Sequence, residues 1–425
     1  MNRKLMAILV LAVLVASVVP AGMASADPGW SYYSPITIQA SKVEANLSSF
    51  PVLISLTDNR LKTSPAGHVA QADGGDIAFT DANNTVKYDH EIEKYDGTNG
   101  TLVAWVRIPS LSGSSNTTIQ MWYGNADCAD QWNPEGVWDS NFKMAQHLQE
   151  DPTDPSPALK DSTSNDNDGI DYGSMTSDDQ VAGQIDGSLD FDGVDDYVDA
   201  GSNTVLDNLN DFSVSAWVKP FADSWETPQG DFYGAFASKG DSDSDVGWEA
   251  IIHKPSTSTK YALRLAREFS TTDLSYRSTE VLNVAEWYHF VTVYYSSTRT
   301  AKLYLDGTEV SYSEQTAGVG SPGDDSAETL QFGHRGPIDD PNPLWLKGLI
   351  DEVRISDTAR SADWIKTCHN NQSDPSTFHT LGTDVDAGPQ EPVPELPTLI
   401  LMSAGLVVIL FLLIRHRLSK AVSRK

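Results

Sequence analysis

Apolar residues in this chain recur at every second position in short runs, and no long 3.6-residue period appears before residue 396. In residues 101–108, Leu102, Ala104, Val106 and Ile108 alternate with Thr101, Val103, Trp105 and Arg107, giving one face to bury and one of mixed character. Residues 50–56, 76–80, 86–95 and 117–123 follow the same rule, separated by turns rich in Gly, Asn and Asp. They predict one β-sandwich of about 110 residues, from about Trp30 to Asn141. A second series starts near His147 and includes residues 189–191, 212–218, 261–265, 287–294, 301–305 and 349–355. Phe212, Val214, Ala216 and Val218 share one face, and Asp306-Gly307 joins residues 301–305 to 308–312 as a two-residue hairpin, because Asp-Gly tolerates positive φ. Many short strands with regular turns make the second unit a sandwich or jelly roll.

Only the two ends break this pattern. Residues 1–26 place Arg3 and Lys4 before an uncharged run and then Ala24-Ser25-Ala26, the layout of a secretory signal peptide. Residues 396–414 carry no charge, and at about 1.5 Å per helical residue they cross a hydrocarbon core of about 30 Å. Arg415, Arg417, Lys420, Arg424 and Lys425 follow, which places the tail 415–425 in the cytoplasm and the body outside the cell membrane. Pro389, Pro392 and Pro394 make residues 385–395 a stiff spacer. The expected fold class is therefore all-β, with an N-terminal sandwich over 27–146, a second over 147–384 and a C-terminal transmembrane helix.

The chain has a net charge of −30, and all 59 acids lie between residues 27 and 395. Such a surface repels phosphate backbones and excludes nucleic acid as a partner; solubility, calcium loading and cationic partners remain. Cys128 and Cys368 are the only cysteines. In an oxidising exterior they either form a disulfide tying the end of one domain to the end of the next, or stay as two buried thiols. Sequons at Asn46, Asn83, Asn99, Asn116 and Asn371 fit an exported glycoprotein.

The segments "LDFDGVDDYV" (189–198), "DFSVSAWVKP" (211–220), "EWYHFVTVYY" (286–295), "KLYLDGTEV" (302–310) and "GLIDEVRIS" (348–356) make residues 147–383 resemble the laminin-G-like, concanavalin A-like jelly roll. "FPVLISL" (50–56), "DIAFT" (76–80), "AWVRIP" (104–109) and "MWYGN" (121–125) make residues 30–142 resemble the β-rich domain of unknown function that precedes this jelly roll in archaeal and bacterial surface proteins. "VPELPT" (393–398) resembles an archaeosortase-type sorting signal of the PEF-CTERM kind, through Pro394, Glu395, Leu396, Pro397 and Thr398, with Leu396 where those signals usually have Phe.

The jelly-roll resemblance implies one structural calcium, with a ligand in the last strand. In residues 349–355 the alternation puts Asp351 on the same face as Leu349, Val353 and Ile355, where a carboxylate is costly unless a cation or several donors meet it. Asp192 and Asp195 can add oxygens, as can Asp161, Asn165 and Asp168, against the competing role of closing turns. The loop Asp241, Asp243, Asp245 fails as an EF-hand, since Gly247 falls one place late and Ile252 holds the twelfth position. Trp217, Trp248 and Tyr304 are the aromatic candidates for a sugar face, against the competing role of core packing. Glu91-Ile92-Glu93 is the nearest carboxylate pair for a glycosidase, read as acids on the wet face of a strand; His289 reads as a packed residue. No GxSxG, HExxH or phosphate loop is present, and no enzyme is expected.

The expected function is a membrane-anchored, cell-surface binding or adhesion protein that recognises glycans or envelope proteins through the jelly roll. A self-associating envelope protein and a concanavalin A-like glycoside hydrolase are the alternatives.

Overall fold

The structure, a computed structural model, describes residues 29–221, 232–241, 246–254, 258, 260–279, 281–336 and 344–387. The expected signal peptide, the sorting residues Pro394 to Thr398, the span 396–414 and the tail lie outside them. Among the described residues no helix is long and apolar enough to cross a membrane.

The strands stack in four layers. A six-stranded sheet, which includes Tyr32–Ile38, Thr117–Tyr123 and Ala78–Asp81, packs on a three-stranded sheet of Leu47–Thr57, Thr101–Leu111 and His90–Asp96. Phe50, Val52, Ile54, Leu102, Ala104, Val106 and Ile108 fill the space between them with Ile36, Phe79, Ile119 and Met121, as the alternation predicts. Two eight-stranded sheets form the second sandwich. One is built around Gly187–Asp192, Lys347–Ser356, Phe212–Pro220 and Tyr288–Tyr295; the other around Val246–Lys254, Phe232–Asp241, Leu330–Phe332, Tyr197–Asp199 and Ile170–Tyr172. Asp306 and Gly307 both take positive φ, so the predicted hairpin forms.

The mixed face of Thr101–Leu111 is not solvated. Leu53, Val103 and Trp105 pack against Phe142, Ala145, Ile185 and Trp217 of the second sandwich, so the two domains share a third apolar core. Period-two patterning identifies that a strand has two faces, but cannot say that a second domain will cover the less apolar one.

The chain also returns to where it began. His379–Leu381 pairs with Ile36, Thr37 and Ile38, and Val385–Asp386 pairs with Tyr32 and Tyr33, so the final strands complete the first sheet. Residues 385 and 386, expected in the spacer, are thus held in that sheet.

A helix, Ala362–Ser373, precedes this return, although no long helical period was expected there. Its buried side is Ile365, Thr367, Cys368, Asn371 and Gln372, mostly polar, and so carries no apolar repeat. Instead it docks by hydrogen bonds: Asn371 accepts from Leu53 N at 2.7 Å and donates to Leu53 O at 3.0 Å, and Gln372 Oε1 accepts from Trp217 Nε1 at 2.7 Å. The two Asn371 bonds satisfy Leu53 on the free edge of Leu47–Thr57. They also remove Asn371 from the usable sequons, since it is 1% exposed.

The expected disulfide does not form; neither cysteine is in a bridge. Cys368 lies under the helix, against the core between the first two sheets, whereas Cys128 lies with Trp30, Ala78 and Trp122 on the far side of the six-stranded sheet. A whole β-layer, about 10 Å from its neighbour, separates the two sulfurs, beyond any bridge.

Candidate functional site

Trp217, Trp248 and Tyr304 are 2%, 3% and 2% exposed, so none can cover a sugar. Trp217 belongs to the interdomain core, Trp248 to the jelly-roll core and Tyr304 to a cluster with Val291 and Ile365. The aromatic surface lies elsewhere. Tyr197 and Tyr172 are cross-strand partners on the outer face of the second eight-stranded sheet, because Val198, next to Tyr197 in the strand, points into the core. Their rings stack at 4.6 Å and 7°, with Tyr172 41% exposed. Behind Tyr197, His334 at 5.6 Å and Trp345 at 6.1 Å continue the platform, and these two stack on each other at 3.8 Å. Burial first, then Arg335, pushes His334 down to about 4, so it is a neutral part of the platform at ordinary pH.

An acidic turn borders this platform. Asp192 Oδ1 accepts from Val194 N at 2.7 Å and from Asp195 N at 3.2 Å, and Asp196 Oδ2 accepts from Asp192 N at 3.0 Å. The Asx role that competed with calcium in the sequence is therefore realised at Asp192. Gly173, beside Tyr172, has φ +93° and lies so close to the Asp195 and Asp196 backbone that a Cβ would fall 2.4 Å from Asp195 O. Burial, then Asp192, Asp179 and Asp195, pushes the Asp196 carboxyl up to about 7. Carboxylate oxygens of Asp192, Asp195 and Asp196 come within 4.8 Å of one another. This set suits calcium in kind, and three carboxylates fall short of its six or more oxygens. Asp161 closes a separate turn: its carboxylate accepts from Ala145, Thr163 and Asn167 N. Asp168 takes Asp161 N and Lys160 Nζ, and Asn165 donates to backbone carbonyls.

Asp351 does not join Asp192 and Asp195. The two strands pair Asp192 with Lys347 and Leu189 with Ile350, which sets Asp351 at the other end of the ladder. Nor does it share a face with Val353 and Ile355. An extra residue between Asp351 and Arg354, opposite Ala216, breaks the alternation: Ile350, Val353 and Ile355 face the jelly-roll core, and Asp351 is turned to the first sandwich. The bulged residue is Glu352, with φ +58°.

That bulge builds a buried polar cluster between the domains. His147 Nδ1 lies 2.8 Å from Glu352 Oε1 and 3.5 Å from Glu93 Oε2, and His147 Nε2 lies 3.4 Å from Glu91 Oε2. Trp105 Nε1 donates to Glu93 Oε2 at 2.8 Å and Trp138 Nε1 to Glu91 Oε2 at 3.1 Å. Arg354 donates to Glu352 Oε2 and stacks on Trp105 and Trp138, at 4.2 and 4.7 Å from their centroids. Glu91 and Glu93, expected on a wet strand face, are thus 8% and 9% exposed. Burial alone would lower His147, yet Glu352, Glu93 and Glu91 outweigh it and hold the imidazole well above its ordinary range. Burial, then Glu352, raises Asp351; burial, reinforced by Glu352 and opposed by His147, raises Glu93. His289, as expected, is packed, against Trp217 and His369.

Residues 192–366 match the model of the concanavalin A-like lectin/glucanases superfamily, and residues 73–154 match the domain of unknown function DUF2341. No curated protein matches. Similar solved structures include the binding domain of Paraclostridial Mosquitocidal Protein 1, at 12% identity and TM-score 0.41 over 54% of this chain and 52% of that one. Domain 4 of AbnA, an extracellular arabinanase from Geobacillus stearothermophilus in complex with arabinotriose, has 19% identity and TM-score 0.37 over 53% of this chain and 97% of that one. The SAP-like pentraxin of Limulus polyphemus has 14% identity and TM-score 0.30 over 38% and 70%. The chain spans about half the length of the toxin-domain chains it matches. It therefore carries a jelly-roll domain of the concanavalin A-like lectin/glucanases superfamily, preceded by a DUF2341 domain.

Proposed function

We propose that this is a non-catalytic recognition protein, held at a cell surface by residues 396–414, whose jelly roll takes a saccharide on the Tyr172–Tyr197 platform. The observation that carries the reading is an exposed tyrosine ring stacked on a second ring beside an acidic turn. Aromatic faces cover the apolar face of a pyranose, and Asp192 or Asp195 can accept from its hydroxyls. Calcium on Asp192, Asp195 and Asp196 would fix that turn, the ligand itself or solvent supplying the missing oxygens. Burial of Glu91 and Glu93 supports the non-catalytic part, since a substrate has no path to them in this arrangement.

The test is a glycan array followed by titration calorimetry on the best hit, with calcium and with chelator. Tyr172→Ala is expected to lower affinity about tenfold or more without moving the melting temperature. Loss in Trp132→Ala instead would move the ligand to the first sandwich, where Trp132 lines a cleft of about 470 Å³ with Arg107 and Lys87. No saccharide binding, with self-association on sizing, would favour the envelope reading.

A further inference from the structure

Three segments far apart in sequence bring an imidazole and two carboxylates to one point between the domains. Glu93 comes from the first sandwich, His147 from the strand end that opens the second, and Glu352 from the jelly-roll strand that both domains flank. One atom from each lies within 4.8 Å of the others. Two backbone irregularities create this convergence: Glu93 is the extra residue in a bulge between Ile92 and Lys94, and Glu352 holds a left-handed φ of +58° in its own bulge. A non-glycine residue kept there is strained, and such strain persists where the surroundings demand it.

Acids crowd this point: Glu91, Glu93, Asp351 and Glu352 are all buried beside Arg354 and His147. Hydrogen-bond partners are also missing: Glu93 Oε1 and Asp351 Oδ1 are buried and form no hydrogen bond. Other oxygens of the same carboxylates are fixed. Trp105 donates to Glu93 Oε2 and Arg354 to Glu352 Oε2, the kind of support that orients metal ligands.

We propose that Glu93, His147 and Glu352 hold one divalent transition cation of the zinc or manganese class, which fastens the first sandwich to the jelly roll. An imidazole with two carboxylates suits such an ion and does not suit calcium, which takes oxygens alone. The ion would sit among four buried carboxyl groups. The site is independent of the saccharide reading and stands or falls without it.

The full chain is stripped with chelator and then given zinc or manganese by two routes, dialysis and refolding from urea, because the site is closed in the folded protein. Metal content is read by mass spectrometry after exhaustive dialysis. One ion per chain is expected, with a rise in melting temperature of about 5 °C at an ion concentration about a hundred times Kd. Glu93→Gln and His147→Gln should each reduce retention at least tenfold, whereas Tyr172→Ala and Asp195→Asn should retain the ion. Circular dichroism establishes that each variant is folded. Wild-type protein that holds no ion by either route overturns the proposal, as does full retention in folded Glu93→Gln and His147→Gln.

Discussion

Among the described residues, two acidic clusters are built in opposite ways. Asp192, Asp195 and Asp196 lie within five residues of one another on an open turn, and backbone amides of the same turn satisfy Asp192. Glu91, Glu93, Asp351 and Glu352 are separated by up to 261 residues, lie in a closed interface and depend on His147, Arg354 and two tryptophans for partners. Water screens the exposed Asp192 and Asp195 of the first group, and the interface desolvates the second. Carboxylates therefore weigh differently in the two places: the turn serves local shape, and the interface ties the stability of each domain to the other.

The largest effect should come from leaving a buried carboxylate unmatched. Arg354→Met removes the cation beside Glu352 and the ring contacts to Trp105 and Trp138, and is expected to cost about 3–5 kcal/mol in urea unfolding. A cost near zero would mean that the interface does not hold these charges in solution.

A titratable group outside the interface provides the control for pH. Burial first, then Lys87, pushes His90 down to about 4, and neither ring nitrogen has a partner inside the first sandwich. The unfolded chain takes up the proton below its ordinary 6.5 while the folded chain refuses it, so stability is lost as pH falls from about 6.5 towards 4. His90→Phe should remove that loss, a gain of about 2 kcal/mol relative to wild type at pH 5, read from melts at pH 5 and 7.

Asp351→Asn tests the interface more gently. The amide oxygen still accepts from Ile185 N, now 2.9 Å from Asp351 Oδ2, and a buried acid beside Glu352 is removed. Metal-free protein should gain about 1 kcal/mol at pH 7, whereas a calcium ligand at this position would make the same change destabilising in calcium. Asp192→Ala should do least, about 0.5–1 kcal/mol for the lost turn bonds, with no effect on the interface. A larger loss there, seen only in calcium, would promote the turn to a metal site.

Much of the strand pattern was legible because period two needs only neighbouring residues: Thr117–Tyr123 spans the expected strand, and the Asp306-Gly307 turn forms as read. The alternation failed at Glu352, where one inserted residue put Asp351 and Val353 on opposite faces of the strand. It failed also for Glu91 and Glu93, since acids on alternate strand positions look solvated until another domain covers them. The Tyr172–Tyr197 platform was missed because the two rings come from strands with no shared motif, whereas Trp217, Trp248 and Tyr304 drew attention by size and pattern alone.

By itself, then, the sequence determined the alternation of buried and open positions, the hairpin and turn chemistry and the surplus of negative charge. These depend on side chains within a few residues and on simple counting. Tertiary structure alone decided which mixed strand face became an interface, that the last strands return to the first sheet, and that Glu93, His147 and Glu352 meet. Those outcomes follow from packing between layers, where burial turns distant polar residues into obligatory partners.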